Sequence, residues 1–428
     1  MKKGSKLDTA SYKGVRDFYP EDMFVLNYVM SVMRRTVESF GYQEYGASPI
    51  EPAELFRAKT GEEIVNEQTY TFTDRGGREV TLRPEMTPTV ARMVAAKRRD
   101  LVFPLRWYSI PNLFRYEQPQ KGRLREHFQL NVDIFGVAGL EAEIEIINVA
   151  WAIMNNYGAK ESDFEIRINS RELIKELFLS FKIKESESRM ISRVMDKKDK
   201  ISSDTFKMGL EEILKDKAGE FIRTFEVNQR IVDRLGSDNP KIKKIETLIN
   251  KLDSSGIKNI FLTPTLMRGL DYYTDIVFEI YDTNKDNRRS LFGGGRYDSL
   301  TELFGEEAIP AVGFGMGDVT IGDFLIGRRL VPPYKSSVNL HICRAGEIDS
   351  AFIFSFANKL REKGVNNSID FSKRKVSDQI KSADKSKIPF VVCVGEKEVE
   401  TKKFAVKRLS TGEEKILGED DIPNLVLN

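Results

Sequence analysis

The sequence predicts an α+β protein of more than one domain, and three observations predict it. Strand patterns dominate residues 105–135 and return at 275–296. Between them, from about Arg171 to Ser255, Lys, Glu, Leu and Ile recur at helical spacing with almost no strand signal. Beyond Val331-Pro332-Pro333-Tyr334, which reads as a linker, strand and helix alternate over 338–343, 348–363, 367–370, 376–386 and 390–394. That alternation predicts a compact α/β domain with a parallel core. The 428 residues suffice for two or three domains.

The first helix is expected over 20–40. Pro20 suits a first turn, Glu21 and Asp22 complement the dipole there, and Gly41 can close the helix. Met23, Leu26, Met30, Met33, Val37 and Phe40 recur at its period. A strand-like passage ends in Ser48-Pro49-Ile50-Glu51-Pro52, and Thr60-Gly61-Glu62-Glu63 reads as a turn. Tyr70–Phe72 and Val80–Leu82 flank Asp74-Arg75-Gly76-Gly77, a strong hairpin signal. Residues 86–99 read as a helix starting near Thr87-Pro88, and 105–116 and 126–135 as strands around a charged loop. A helical pattern covers 139–157, with Trp151 facing the core, and Phe164–Asn169 alternates as a strand. Strands 275–281 and 290–296 precede an apolar, Gly-rich segment at 309–318.

Composition narrows the functional classes. Charged residues are 31%, hydrophobic ones 40% and the formal net charge is +2, so any nucleic-acid surface has to be a local patch. Cys343 and Cys393 are the only cysteines, His127 and His341 the only histidines, and no metal-ligand spacing occurs. No metal site and no disulfide framework are expected, which fits a cytoplasmic location. The basic Met1–Lys6 segment is not followed by an apolar run of signal-peptide length, and no stretch approaches a membrane span.

Three clusters carry candidate chemistry. On the strand His127–Phe135, period two puts Phe128, Leu130, Val132 and Ile134 on one face and His127, Gln129, Asn131 and Asp133 on the other. The polar face either meets water or lines a ligand. Arg115, Glu117, Arg123 and Arg125, in the loop beside it with Gly122, can fold over a polyanion, and Arg offers bidentate contacts to phosphate. Glu85 and Thr87 form the second cluster at a strand-to-helix corner, where Thr87 is either a cap or a ligand contact. The third is Arg268-Gly269-Leu270-Asp271-Tyr272-Tyr273, a structural ion pair under an aromatic lid or a site needing one fixed cation and flat walls. Gly293-Gly294-Gly295-Arg296-Tyr297-Asp298 permits close backbone approach. A dinucleotide fingerprint, a P-loop and a credible Ser/His/Asp set are absent.

Those residues resemble histidyl-tRNA synthetases over nearly the full sequence. Phe114-Arg115-Tyr116-Glu117 with Arg123 resembles motif 2 of class II aminoacyl-tRNA synthetases, and Ser48-Pro49-Ile50-Glu51 resembles motif 1. Arg268–Tyr273 and Gly294–Asp298 resemble the two signature peptides that are specific to the family. Gly346-Glu347, Lys373-Arg374-Lys375, Gln379, Ile388-Pro389-Phe390 and Gly395-Glu396 resemble the anticodon-binding domain.

The resemblance implies an antiparallel-sheet catalytic domain over 1–171 and 256–330, a helical insertion at 172–255 and an anticodon-binding domain at 336–428. It implies a homodimer that uses ATP with Mg2+, held mainly by the phosphates, to activate L-histidine and load it onto tRNA(His). Arg115 and Arg268 would hold the α-phosphate and act as the catalytic cations. Arg115, Glu117, Arg123 and Arg268 would bind ATP. Glu85, Thr87, Gln129, Asp133, Tyr272, Tyr273 and Tyr297 would bind histidine. The alternative is a non-catalytic paralogue acting as a regulatory subunit of ATP phosphoribosyltransferase; the anticodon-domain resemblance and the arginine signature argue against it.

Two departures from the family pattern matter. Asp133 stands where bacterial members usually carry Glu, so its contact with the ring needs a water or a shifted strand. Motif 3 begins at Gly313-Phe314-Gly315-Met316-Gly317, but Asp318-Val319-Thr320 follows where the class has Arg, a pattern of archaeal-type members. The γ-phosphate contact is then unassigned, with Arg125 and Arg106 as candidate substitutes.

Overall fold

The computed structural model describes residues 7–57, 68–120, 122–198, 201–267, 272–284, 286–287 and 289–428. Met1–Lys6, the Thr60–Glu63 turn and Arg268–Asp271 lie outside them. The chain divides into two compact units, residues 1–331 and 332–428.

The first unit is organised around strands β1 (Gln43–Glu44), β2 (Ile50–Pro52), β3 (Tyr70–Thr73), β4 (Glu79–Leu82), β5 (Leu105–Ser109), β6 (Asn112–Phe114), β7 (Glu126–Phe135), β8 (Phe164–Ser170), β9 (Ile260–Leu262), β10 (Ile276–Asp282), β11 (Ser290–Arg296) and β12 (Ala311–Gly317). Among the described residues nine of them form one sheet in the order β1-β5-β7-β12-β11-β10-β8-β9, with β6 added against β7. The β1–β5 and β8–β9 pairs are parallel and the rest antiparallel. This is an antiparallel-dominated α+β architecture, as expected. The hairpin β3–β4 joins β2 in a small separate sheet. Its turn is closed by Asp74, whose Oδ1 accepts from the backbone N–H of Gly76 at 2.8 Å and of Arg78 at 2.9 Å.

One face of the large sheet is sealed by helices. The helix Pro20–Ser39 starts where expected, its N-terminus capped by Asp22 accepting from the Tyr19 N–H at 3.1 Å. It buries Leu26, Val29, Val32, Met33 and Val37. The helix Glu141–Asn156 packs beside it, and Val132, Phe278 and Phe314 from the sheet complete the core. Trp151 is half-buried against that core.

Six helices occupy the described residues of 171–254, as the periodicity predicts: Arg171–Ser180, Glu185–Met195, Ser203–Leu214, Ala218–Glu226, Asn228–Leu235 and Pro240–Ser254. Their apolar residues, including Leu177, Phe221 and Leu248, belong to the same core cluster as the sheet.

The second unit holds strands β13 (Leu340–Arg344), β14 (Asn367–Ile369), β15 (Phe390–Val394), β16 (Lys403–Arg408) and β17 (Glu414–Gly418), in the order β14-β13-β15-β16-β17. The parallel core expected from the sequence is β14-β13-β15. The sheet is nevertheless mixed, because β16 and β17 add an antiparallel hairpin that was not foreseen. Phe404 and Val406 alternate into the core and carry a weak strand signal, which the surrounding Lys and Arg mask.

Candidate active site

Four strands meet in register at the centre of the large sheet. Asp133 of β7 pairs with Gly313 of β12, which pairs with Gly295 of β11, which pairs with Val277 of β10. Two residues along, Asn131, Gly315, Gly293 and Glu279 make a second row, and Gln129 pairs with Gly317 beyond it. Directly opposed residues share a face, so these rows line the side of the sheet away from the helix-covered core. Asp133 and Asn131 are buried there, so the polar face of β7 is not simply a wetted surface.

Two glycines make the floor possible. A Cβ on Gly313 would lie 2.1 Å from Asp133 Oδ1 and 2.6 Å from the Val132 carbonyl oxygen. A Cβ on Gly315 would lie 3.0 Å from the side chain of Gln129. Any larger residue would fill the space these polar side chains occupy.

Aromatic residues wall the floor. The Tyr297 hydroxyl donates to Asp133 Oδ1 at 2.5 Å. The Tyr272 hydroxyl lies 3.1 Å from Glu85 Oε2 and 3.2 Å from Thr87 Oγ1. The Tyr272 ring sits 5.0 Å from Tyr273 and 5.8 Å from Tyr297, centroid to centroid. Thr87 is the first residue of the helix Thr87–Ala96, but its hydroxyl meets Tyr272 and caps nothing. Thus Glu85, Thr87, Asp133, Tyr272, Tyr273 and Tyr297, spread over more than 200 residues of sequence, form one pocket with Gln129 at its edge.

The pocket is dry enough to move charges. Burial pushes the Asp133 carboxyl up from 3.8 to about 7, and the Tyr297 hydrogen bond only partly offsets it. Burial, followed by the charge of Asp133, drives the Tyr297 phenol well above its usual range. His127, at the other end of the same β7 face, is lowered to about 3 by burial and then by Arg115 and Arg16, so its ring is neutral at physiological pH.

Beside the pocket runs the charged loop. Arg115 is oriented by its Nε donating to the Pro84 carbonyl at 2.9 Å. Glu117 stands between two cations, 3.9 Å from Arg115 Nη1 and 3.3 Å from Arg123 Nη1. The resemblance-implied ATP residues Arg115, Glu117 and Arg123 therefore cluster. Arg268, with Gly269 and Asp271, lies outside the described residues.

Neither candidate substitute for the motif 3 arginine stands at this loop in usable form. Arg106 pairs with Ile134 in the β5–β7 register and so points to the opposite face, where it makes a bidentate bond to Glu145 at 2.6 and 2.7 Å. Arg125 is bound to the Glu117 carbonyl at 3.1 Å and the Tyr12 hydroxyl at 3.0 Å, and stacks on Tyr116 at 4.0 Å. It anchors the N-terminal segment. Asp318 is occupied as well, accepting from Arg16 at 2.7 Å and from the Phe128 N–H at 2.9 Å.

A different arginine does reach the loop. Arg289, just before β11, donates to Gln120 Oε1 at 3.0 Å. A Cβ on Gly122 would lie 3.7 Å from Arg289 Nη1 and 3.6 Å from Thr320, in the Asp318-Val319-Thr320 stretch that departs from the class pattern. The sequence reading missed Arg289 because it stands in a hairpin turn, 169 residues from Gln120. It also missed Tyr45, whose ring lies 5.8 Å from that of Trp107, the β5 neighbour of Asp133. Only the pairing of β5 with β7 brings Tyr45 towards Asp133, and only the fold of the β10–β11 hairpin brings Arg289 to Gln120.

Known proteins resemble this chain along its length. A family model described as histidyl-tRNA synthetase matches residues 14–318, and one described as anticodon binding domain matches residues 347–428. The histidine–tRNA ligase of Leptospira biflexa is 41% identical over 415 residues, covering 96% of this chain and 95% of that protein. That of Thermoplasma volcanium is 38% identical over 418 residues, covering 96% of each. Among solved structures, histidyl-tRNA synthetase from Nostoc sp. PCC 7120 superposes with a TM-score of 0.82 at 22% identity, over 99% of both chains, a likeness of fold.

Proposed function

The chain belongs to the histidyl-tRNA synthetase family, and from that premise we propose that it activates L-histidine with ATP and transfers it to the 3′ end of tRNA(His). It is a class II aminoacyl-tRNA synthetase. The single observation that carries the reading is the glycine-floored pocket joining Asp133 and Tyr297 to Glu85, Thr87 and Tyr272, set beside the Arg115–Glu117–Arg123 cluster. The regulatory-subunit alternative is less supported, since the relatives named histidine–tRNA ligase match over nearly their whole length.

The chemistry is a displacement at phosphorus. A carboxylate oxygen of histidine bonds to the α-phosphorus of ATP, and the bond from that phosphorus to the bridging oxygen breaks, releasing pyrophosphate. The tRNA hydroxyl then attacks the acyl carbon and releases AMP. Asp133 accepts from the histidine ring, with Tyr297 holding its other lone pairs. Glu85, Thr87 and Gln129 hold the amino group and its neighbours, while Tyr272 and Tyr273 flank the ring. Arg115 and Arg268 meet the charge that grows on the α-phosphate, and Glu117 and Arg123 hold the adenine end and the phosphates. Arg289 supplies the outer-phosphate cation that Thr320 cannot. Mg2+ arrives on the phosphates of its substrate, ATP. No covalent enzyme intermediate is required; alignment of carboxylate and phosphate does most of the work.

Pyrophosphate exchange with each of the twenty amino acids tests the function. Histidine alone should support exchange, and exchange with a different amino acid, or with none, would overturn it.

The dimer of the family and the exposed apolar residues Ile50 and Phe72 of the small sheet support a C2 homodimer. Light scattering should give about twice the 48.9 kDa chain mass; a clean monomer would refute it. No helix among the described residues is long and apolar enough to cross a membrane.

Asp133 gives a pH-dependent test. Its folded pKa is raised, so between about pH 4 and 7 the folded chain holds a proton that the unfolded chain has released. Stability from this group is therefore present at low pH and lost as pH rises to about 7. Asp133→Asn keeps the shape and cannot ionise, so its melting temperature should vary less over that window than the native one. Histidine binding should weaken by a factor of roughly 5–150, the usual effect of leaving a buried polar group without its partner. ATP affinity should stay native; a fall in ATP affinity instead would show the pocket to be misassigned.

A further inference from the structure

In the second unit a buried polar network holds up an exposed aromatic pair. Asp370, 5% exposed, ends β14. Its Oδ1 accepts from the Ser372 N–H at 2.7 Å and from the Ser372 hydroxyl, and its Oδ2 accepts from Arg374 Nη2 at 3.3 Å. His341 of β13 lies 3.5 Å away on the other side. Gln379, 1% exposed, donates to the carbonyls of Arg344 at 3.0 Å and Arg374 at 2.9 Å and accepts from the Arg344 N–H at 2.8 Å. The loop 370–375 is thus fixed at both ends to the sheet.

What this fixed loop presents outward is unusual for a solvated turn. Phe371 is 62% exposed, and Phe354 of the helix Ser350–Glu362 is 46% exposed. Their ring centroids are 5.7 Å apart, inclined by 33°. Lys373 and Lys375 are exposed on the same loop. Arg374, between them on the same loop, is bonded to Ser372 and Asp370. A flat apolar surface flanked by cations matches an unpaired nucleotide, whose base offers a π-face and whose phosphate is anionic. Both phenylalanines lie within the residues matched by the anticodon-binding family model.

We propose that the Phe354–Phe371 pair, with Lys373 and Lys375, is a stacking platform for an unpaired base of tRNA. The inference rests on the synthetase reading. A base packs on the exposed face of Phe371, Phe354 backs that ring, and the lysines meet the adjoining phosphates.

The experiment uses the full chain with Phe371→Leu, Phe354→Leu and Phe371→Trp. Phe371→Leu keeps apolar bulk but loses the π-face, so the KM for tRNA in histidine charging should rise roughly 5- to 150-fold. Phe354→Leu should shift it in the same direction by less. Histidine-dependent pyrophosphate exchange and the melting temperature should stay native in all three, since the residues are exposed and belong to the second unit. Phe371→Trp should charge like the native chain and lose tryptophan emission, above the background of Trp107 and Trp151, when tRNA alone is added. Native KM for tRNA in Phe371→Leu overturns the platform. So does a change in oligomeric mass with that KM unchanged, which would make the pair a contact between copies. If the native chain fails to exchange pyrophosphate with histidine, the synthetase reading itself has failed, a separate result.

Discussion

Arg115→Ala should slow histidyl-adenylate formation about 10²- to 10³-fold at saturating substrates, the loss typical when one fixed donor to a developing oxyanion is removed. The geometry explains why so much rests on one side chain. Its Nε is spent on the Pro84 carbonyl, next to Glu85 of the pocket, which fixes the plane of the guanidinium. Glu117, 3.9 Å away, is close enough to steer it and too far to neutralise it fully. A cation already oriented costs no reorganisation as charge develops on the α-phosphate. Arg115→Lys should recover little, because an ammonium on a flexible stem cannot satisfy Pro84 and a phosphate together. Single-turnover adenylate formation, with melting alongside, measures this. An early melt with native chemistry below it would make Arg115 structural. Arg268→Ala should show a comparable loss for the same charge reason. Arg289→Ala should act differently, raising the KM for ATP with a smaller effect on the rate, as expected of a contact made equally to ground and transition states.

Gly313→Ala should abolish measurable histidine binding while ATP still binds. The added Cβ would lie 2.1 Å from Asp133 Oδ1 and 2.6 Å from the Val132 carbonyl oxygen. The carboxylate can rotate away only by giving up Tyr297, and the carbonyl can retreat only by parting β7 from β12. Overpacking of this kind commonly costs 1–3 kcal/mol, roughly, even where side chains can yield, and here one neighbour is backbone. A loss of several degrees in melting temperature should accompany the loss of binding. Gly322→Ala is the control: it sits in the helix Asp318–Gly327 with open space around its Cβ position, so it should be neutral or slightly stabilising. Native histidine affinity in Gly313→Ala would show that the floor is not where histidine sits.

The sequence by itself determined what depends on near neighbours along the chain. The helix at 20–39, the hairpin around Asp74 and the helices of 171–254 follow from periodicity and caps. The division of β7 into polar and apolar faces follows from a period of two, which is a property of the strand alone. Motif residues Arg115, Glu117, Tyr272 and Tyr297 were legible as types in a pattern. Only the tertiary structure decided what those faces meet. That Asp133 is dry and bonded to Tyr297, 164 residues away, is set by β7, β12 and β11 lying side by side. The β5–β7 register sends Arg106 to Glu145 on the far face, and the folding back of the N-terminal segment gives Arg125 the Tyr12 hydroxyl, so neither fills the motif 3 gap. Arg289 reaches the loop, and Phe354 meets Phe371, only after the chain has folded back. The physical reason is that hydrogen bonds, burial and charge act through space over a few ångströms. Local pattern states which groups a segment offers, and strand order and packing state which of them come within that distance.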